Sequence, residues 1–207
     1  MIITKIERQK KVSSRRSIFL DEKFAFGISD DVLLKFSLYE GQELTEEEIS
    51  EITKAETEFS VKSAALRFRS YRPRSTKEVK EYLQKKGFDE SMIATTIEFL
   101  AVNSLLNDEE FARMYCRDRL HLKPIGKLAM QQQLFKKGIP KEHIQKIILE
   151  FYSHDVEKEL ATKEAEKKYK RSRSLPPLTI KRRVYEHLIR HGYDSSLSRS
   201  IVNQLVK

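Results

Sequence analysis

The sequence is poor in the residues that interrupt helices and that build common catalytic motifs. Its 207 residues include six glycines, five prolines, one cysteine and no tryptophan. The glycines lie at least 12 positions apart, so neither a G-x-G-x-x-G loop nor a G-x-x-x-x-G-K-[ST] loop for phosphates can occur. The single cysteine, Cys116, excludes an internal disulfide and a cysteine-cluster zinc site. This composition favours a mostly helical protein of a reducing compartment.

Long apolar segments are also missing. No uncharged apolar run reaches the ~18 residues that a transmembrane helix needs. The first residues, MIITKIERQKK, contain no apolar core of a signal peptide. We therefore expect a soluble, cytoplasmic protein that does not contact a membrane.

Charged residues, in contrast, are abundant and unevenly distributed. The chain has 40 Lys and Arg against 31 Asp and Glu, a net charge of +9, with +5 in residues 1–20, −8 in residues 21–62 and +12 in residues 63–207. The basic clusters of the last part can be read either as solvated helix surface or as a surface for a polyanion or for a protein that coats one. The candidate contacts on the second reading are Arg67, Arg69, Arg72, Arg74, Arg117, Arg119, Lys123, Lys127, Lys181, Arg182 and Arg183.

The N-terminal part has strand character. Apolar and polar residues alternate before and after Asp21-Glu22-Lys23, which predicts a hairpin over about residues 16–28. Ser29 is a predicted helix N-cap, and Thr45 with Glu48 has the pattern of a capping box. We assign residues 1–54 to an extension that contains this hairpin and acidic helices.

From about residue 55 the chain repeats itself. Gly87, Gly138 and Gly192 end similar segments and lie 51 and 54 positions apart. Apolar residues stand eight positions before each glycine (Val79, Met130 and Val184) and again ten and thirteen positions after it. This pattern predicts a helix, a basic loop with proline, a helix ended by a left-handed glycine, and a third helix in each copy.

The predicted fold class is therefore all-α, with three tandem three-helix repeats at residues 55–106, 107–153 and 154–207 after the small hairpin-containing extension. A unit of roughly 50 residues buries too little apolar surface to be secure alone. We expect the repeats to stack into an elongated, curved array.

A search for chemistry finds no convincing centre. His187 and His191 are four residues apart on a predicted helix, but no acidic partner lies at helical spacing and Arg190 would repel a cation, so we expect two solvent-facing histidines. Asp108-Glu109-Glu110 reads as a helix start, because consecutive helix side chains point about 100° apart. Cys116 is expected in the core. We expect no catalytic residue, no cofactor and no metal.

One string in the second repeat is distinctive. It consists of Asn107-Asp108, Phe111-Ala112, Tyr115, Arg119, Gly126 and Leu134-x-x-Lys137-Gly138-Ile139. It resembles the signature of the RecX family, bacterial regulators of the RecA recombinase, and the resemblance extends through the repeats over about residues 55–207. The third repeat departs from the pattern, because its first helix has no equivalent of Asp-x-x-Phe-Ala.

The resemblance implies a regulatory protein without enzymatic activity. Proteins of this family bind in the helical groove of the RecA filament on single-stranded DNA and lower its ATP hydrolysis, strand exchange and repressor co-cleavage. The expected partners are thus the RecA filament and single-stranded DNA, with duplex DNA as a further option, and the expected state is a monomer. For Asp108, Phe111 and Ala112 we expect structural roles.

Two other readings remain open from the residues alone. Three-helix units resemble helix-turn-helix domains of DNA-binding transcriptional regulators, although the third helix of the first repeat, Ile93–Leu100, offers no Lys or Arg to read bases. The second alternative is an enzyme whose active site is assembled across repeats. Competition between duplex sequences tests the first, and turnover by the isolated chain tests the second.

Overall fold

The computed structural model describes residues 1–10 and 14–206. Lys11, one of the basic residues counted in the N-terminal segment, and Lys207, the last residue of the predicted third repeat, lie outside the described residues. Three strands precede ten helices in the described chain. Their bounds are β1 Ile3–Arg8, β2 Arg15–Leu20, β3 Lys23–Ser29, α1 Asp30–Lys35, α2 Glu46–Ser70, α3 Thr76–Lys85, α4 Glu90–Val102, α5 Asp108–Leu122, α6 Lys127–Lys136, α7 Lys141–Phe151, α8 His154–Lys170, α9 Pro177–Arg190 and α10 Ser195–Leu205.

The three strands form one antiparallel sheet in the order β1-β2-β3. The predicted hairpin is confirmed as β2 and β3, joined by Asp21 and Glu22 with φ of 49° and 67°. Positive φ at both positions matches the right-handed twist of the two strands. Ile3, Ile18 and Ile28, one from each strand, are fully buried beneath the sheet.

A buried carboxylate ties this sheet to α2. Glu56 Oε2 accepts hydrogen bonds from the backbone nitrogen of Ser29 at 2.7 Å and from its hydroxyl at 2.9 Å. Glu56 Oε1 lies 2.7 Å from the Arg15 guanidinium on β2. A buried carboxylate is stable only when it is paired and hydrogen-bonded, and Glu56 meets both conditions.

The predicted helix starts are confirmed. The Ser29 hydroxyl caps α1, Thr45 and Glu48 form a complete capping box at α2, and Asn107 caps α5. The helix that opens at Thr45 continues without a break for 25 residues through position 54, where the extension was expected to end. The division of the chain at residues 54, 106 and 153 remains a prediction.

Three-helix repeats follow the sheet, and their inward positions are those that the periodicity indicates. Val79, Met130 and Val184 are all fully buried. The second and third repeats have separate apolar cores, one in α5–α7 and one in α8–α10. The described helices include none long and apolar enough to cross a membrane.

The chain divides into two compact units. The first comprises Met1–Arg72 and Val79–Val102, and the second comprises Pro73–Glu78 and Asn103–Lys207. The second unit thus contains the start of α3 together with the whole second and third repeats.

The three repeat glycines have the left-handed backbone that the sequence predicts. The φ angles of Gly87, Gly138 and Gly192 are +83°, +81° and +80°. Two of these turns, at Gly138 and Gly192, contact the start of the middle helix of the preceding repeat. In the second unit, the Ser75 hydroxyl donates to the carbonyl of Lys137 at 2.8 Å, and the Gly126 backbone nitrogen donates to the carbonyl of His191 at 2.8 Å.

Ser75 and Gly126 occupy the same repeat position, twelve residues before their own glycine, and each bonds the carbonyl just before the next glycine. This contact between the start of a middle helix and the glycine turn of the next repeat, called the joint below, is therefore a repeated element. Asp108 adds to the first one, because its carboxylate accepts a hydrogen bond from the Thr76 backbone nitrogen at 2.8 Å. At the second, Leu128 donates to the Gly192 carbonyl at 3.0 Å.

An ion-pair network between α5 and α7 is expected to make the stability of the fold depend on pH. Glu109 accepts hydrogen bonds from Lys146 and Arg113, which lower its pKa to about 2. The folded state therefore favours the carboxylate. This stabilisation is present above the ordinary pKa of a glutamate, ~4.3, and is lost as the pH falls towards about 2.

We expect Glu109→Gln to lower stability at neutral pH and to match the parent chain near the acid end of that window. Denaturant unfolding at several pH values measures the difference. Glu110→Gln is the matched control, since Glu110 is exposed and lies in the same first turn of α5. A constant difference at all pH values would contradict the expectation.

Candidate binding surface

The structure leaves all eleven predicted contact residues accessible at least in part. Arg67, Arg69 and Arg72 belong to the first compact unit and the other eight to the second. Those that are exposed are Arg67, Arg72, Arg117, Lys123, Arg182 and Arg183. Those that are half-buried are Arg69, Arg74, Arg119, Lys127 and Lys181.

Two of the exposed residues occupy equivalent places in their repeats. Arg72 directly precedes Pro73, and Lys123 directly precedes Pro124, in both cases fifteen positions before the repeat glycine. Proline cannot continue the preceding helix, and the residue before it is pushed out of helical geometry. The first helix of these two repeats therefore ends here, and a cation is placed on the loop that follows.

Lys123 also lines a small cavity of about 230 Å³ in the second unit. Its walls come from the C-terminal parts of α5, α8 and α9 and from the residues just after them. Negative partial charge collects at helix C-termini, so cationic side chains are stabilised there whether or not a ligand binds. The lining residues are Leu122, Lys123, Pro124, Glu164, Lys167, Lys168, Arg171, His187 and His191.

The expectation of two solvent-facing histidines is wrong, and His187 has an acidic partner from another helix. The side chains of His187 and Glu164 are only 19% and 14% exposed, and His187 Nε2 lies 3.5 Å from Glu164 Oε2. The carboxylate comes from α8, 23 positions earlier in the chain, so no helical spacing could reveal it. The ring centroids of His187 and His191 are 4.0 Å apart.

Glu164 is also paired with a lysine of its own helix. Lys167 Nζ lies 2.7 Å from Glu164 Oε1, the oxygen that does not face His187. Burial lowers the pKa of His187, and the neighbouring His191 lowers it further, while Glu164 acts in the opposite direction. His187 is thereby favoured as a neutral imidazole near neutral pH.

Three residues of the distinctive string, Asp108, Phe111 and Ala112, have structural roles, as expected. Phe111 and Ala112 are buried in the core of the second repeat. Cys116 is fully buried in the same core, and burial raises the pKa of its thiol to about 12, so it is not an activated nucleophile. The sequence indicates a structural Asp108, but not its particular bond to Thr76.

The fold and this surface define a class of protein: a tandem array of three-helix repeats, preceded by a small sheet, with cationic loops at the ends of the first helices. Four family models match the chain along its length. They are the RecX N-terminal domain at residues 1–45 and the first, second and third three-helix domains of RecX at residues 62–100, 107–147 and 155–202.

Individual relatives match this chain over nearly its whole length. The chain is 39% identical to the regulatory protein RecX of Bacillus licheniformis over 92% of this chain and 72% of that protein. It is 33% identical to the regulatory protein RecX of Clostridioides difficile over 99% of this chain and 96% of that protein. The chain belongs to the RecX family of regulatory proteins.

Solved structures support the fold. A crystal structure of regulatory protein RecX has a TM-score of 0.75 and 30% identity, with 98% of each chain covered. The RecX structure from Lactobacillus salivarius has a TM-score of 0.66 and 24% identity, and covers 73% of this chain and 97% of that one. The prediction of three tandem three-helix repeats after a small hairpin-containing extension is confirmed, and the hairpin is part of a three-stranded sheet.

Proposed function

We propose that this chain binds the filament that the RecA recombinase forms on single-stranded DNA and inhibits its ATP hydrolysis, strand exchange and co-protease activity. The observation that carries the proposal is membership of the RecX family along the whole chain. The regulatory role of that family gives the partner.

The chemistry of the surface is compatible with such a partner. A filament on DNA presents acidic protein surface and phosphates, and both attract exposed Lys and Arg. The cationic loop recurs in successive repeats, at Arg72 and at Lys123, so that several modest contacts can add up without a deep pocket. Cys116 is buried, so it does not provide the accessible thiol that a cysteine enzyme needs.

The test is ATP hydrolysis by RecA on single-stranded DNA, with this chain added at concentrations well below that of RecA. We expect hydrolysis to fall, because an inhibitor that stops extension at a filament end affects many RecA protomers. No change in hydrolysis with a matched RecA and DNA would contradict the proposal.

A second ATPase that depends on single-stranded DNA, such as an unrelated helicase, is the control. If the chain acted only by covering DNA, it would inhibit both enzymes alike. Inhibition of RecA alone supports recognition of the filament. Competition between duplexes of different sequence distinguishes the remaining alternative, because a base-reading regulator prefers its own site by roughly 4–10 kcal/mol over non-specific DNA.

A further inference from the structure

The cavity at the ends of α5, α8 and α9 contains three side chains whose potential metal-ligating atoms lie close together. One ligand atom each from Glu164, His187 and His191 lies within 4.8 Å of the other two. All three residues are half-buried. They belong to one compact unit and to one repeat, α8 and α9.

The spacing of these atoms has the scale of a coordination shell. A tetrahedral zinc ion lies about 2.1 Å from imidazole nitrogen and from carboxylate oxygen, which places two such ligands about 3.4 Å apart. His187 Nε2 and Glu164 Oε2 are 3.5 Å apart. A hydrogen bond of that length is weak, whereas an ion bridging the two atoms needs little movement of either.

The surroundings orient the ligands in the way metal sites require. His191 Nδ1 is 2.8 Å from the carbonyl of His187, and a carbonyl can only accept, so Nδ1 carries the proton and Nε2 of a neutral ring carries the free lone pair. Glu164 uses Oε1 for Lys167, which leaves Oε2 available. Both ligating groups thus have a second partner that fixes their direction.

The charges and the ligand types of the cavity determine which cation it can bind. Lys123, Lys167, Lys168 and Arg171 reduce the affinity of the cavity for any cation, but three helix C-termini offset part of their charge. Mg²⁺ and Ca²⁺ need several oxygen ligands and find one carboxylate here. Two imidazoles and one carboxylate suit a borderline transition metal.

We propose that Glu164, His187 and His191 form a binding site for a divalent transition metal, with Zn²⁺ as the fitting ion and a fourth position open towards the cavity. The site needs neither RecA nor DNA, so its test stands apart from that of the proposed function.

The experiment is calorimetric titration of the full, untagged, chelator-treated chain with Zn²⁺, repeated with Co²⁺ to record the visible absorption of a tetrahedral site. We expect one ion per chain, and binding at least about tenfold weaker in His191→Ala and in Glu164→Gln. Mg²⁺ in place of Zn²⁺ is expected to bind far more weakly.

His143→Ala is the matched control. His143 is also half-buried beside a glutamate, with Nδ1 3.3 Å from Glu109 Oε2, but it lies outside the three-residue cluster. Zinc binding unchanged in this variant supports the site. Equal loss in His143→Ala and His191→Ala, absence of stoichiometric zinc binding, or binding of inorganic phosphate instead of zinc would each overturn it. Circular dichroism confirms that each variant is folded.

Discussion

Gly192→Ala is expected to destabilise the protein by several kcal/mol, whereas Gly87→Ala is expected to cost only about 1 kcal/mol. Both glycines have nearly the same φ, +80° and +83°, so the strain of a left-handed alanine is equal at the two positions. Their surroundings differ. A Cβ at Gly87 meets nothing within 4 Å, but one at Gly192 overlaps the backbone nitrogen and Cβ of Ala129 at the start of α6.

The difference between the two variants isolates the joint between the second and third repeats. Backbone atoms cannot move aside as a flexible side chain can, so the overlap forces α6 away from the turn, at a cost of about 1–3 kcal/mol. The hydrogen bonds from Gly126 and Leu128 then weaken as well, each worth about 1 kcal/mol.

Denaturant unfolding measures both variants, and hydrogen exchange locates the loss in α6 and α9. Exchange is needed because the chain comprises two compact units, and a single transition cannot be assumed. If the two variants lose the same stability, the joint contributes nothing and the repeats are held together by their apolar contacts alone.

The second large effect is expected on filament binding. Arg72→Glu combined with Lys123→Glu reverses the exposed cation that precedes the loop proline in two repeats. Under the proposed function we expect the affinity for RecA filaments on single-stranded DNA to fall on the order of tenfold to a hundredfold, because each reversal replaces an attraction with a repulsion. Binding is measured by fluorescence anisotropy or surface plasmon resonance at fixed ionic strength.

Lys54→Glu with Lys158→Glu is the control pair. Both lysines are exposed and lie outside the predicted contact set, and the net charge changes by the same amount, so long-range steering is affected equally. A similar loss in the control would mean that net charge, and not these two positions, determines binding. Repeating the titration on naked single-stranded DNA over a range of salt separates the two kinds of contact. A shallower salt dependence assigns Arg72 and Lys123 to phosphates, and an unchanged one assigns them to protein.

Local features were predictable because their causes lie within a few residues. A hydroxyl or carboxyl that caps a helix start lies three residues from the nitrogen it binds, as at Thr45 and Glu48. A left-handed turn demands glycine wherever it occurs, so Gly87, Gly138 and Gly192 were visible as a repeat. The inward positions Val79, Met130 and Val184 followed from helical periodicity in the same way.

Contacts between distant segments were not predictable. The bond from Thr76 to Asp108 joins residues 32 positions apart, and the joint from Ser75 to Lys137 joins residues 62 apart. The residue types give no sign of these partners, because a serine or aspartate at a helix start serves its own helix equally well. Nor does the sequence show that Lys167 and Lys168 line one cavity together with Lys123.

By itself, the sequence determined the helical repeats, their caps, their buried stripes and the family, since each depends on residue type at short, regular spacing. Only the tertiary structure decided that α6 meets the Gly192 turn and that Glu164 lies beside His187 and His191. Those arrangements depend on how one helix packs against another, and packing is set by the shapes of whole surfaces, which no single segment encodes.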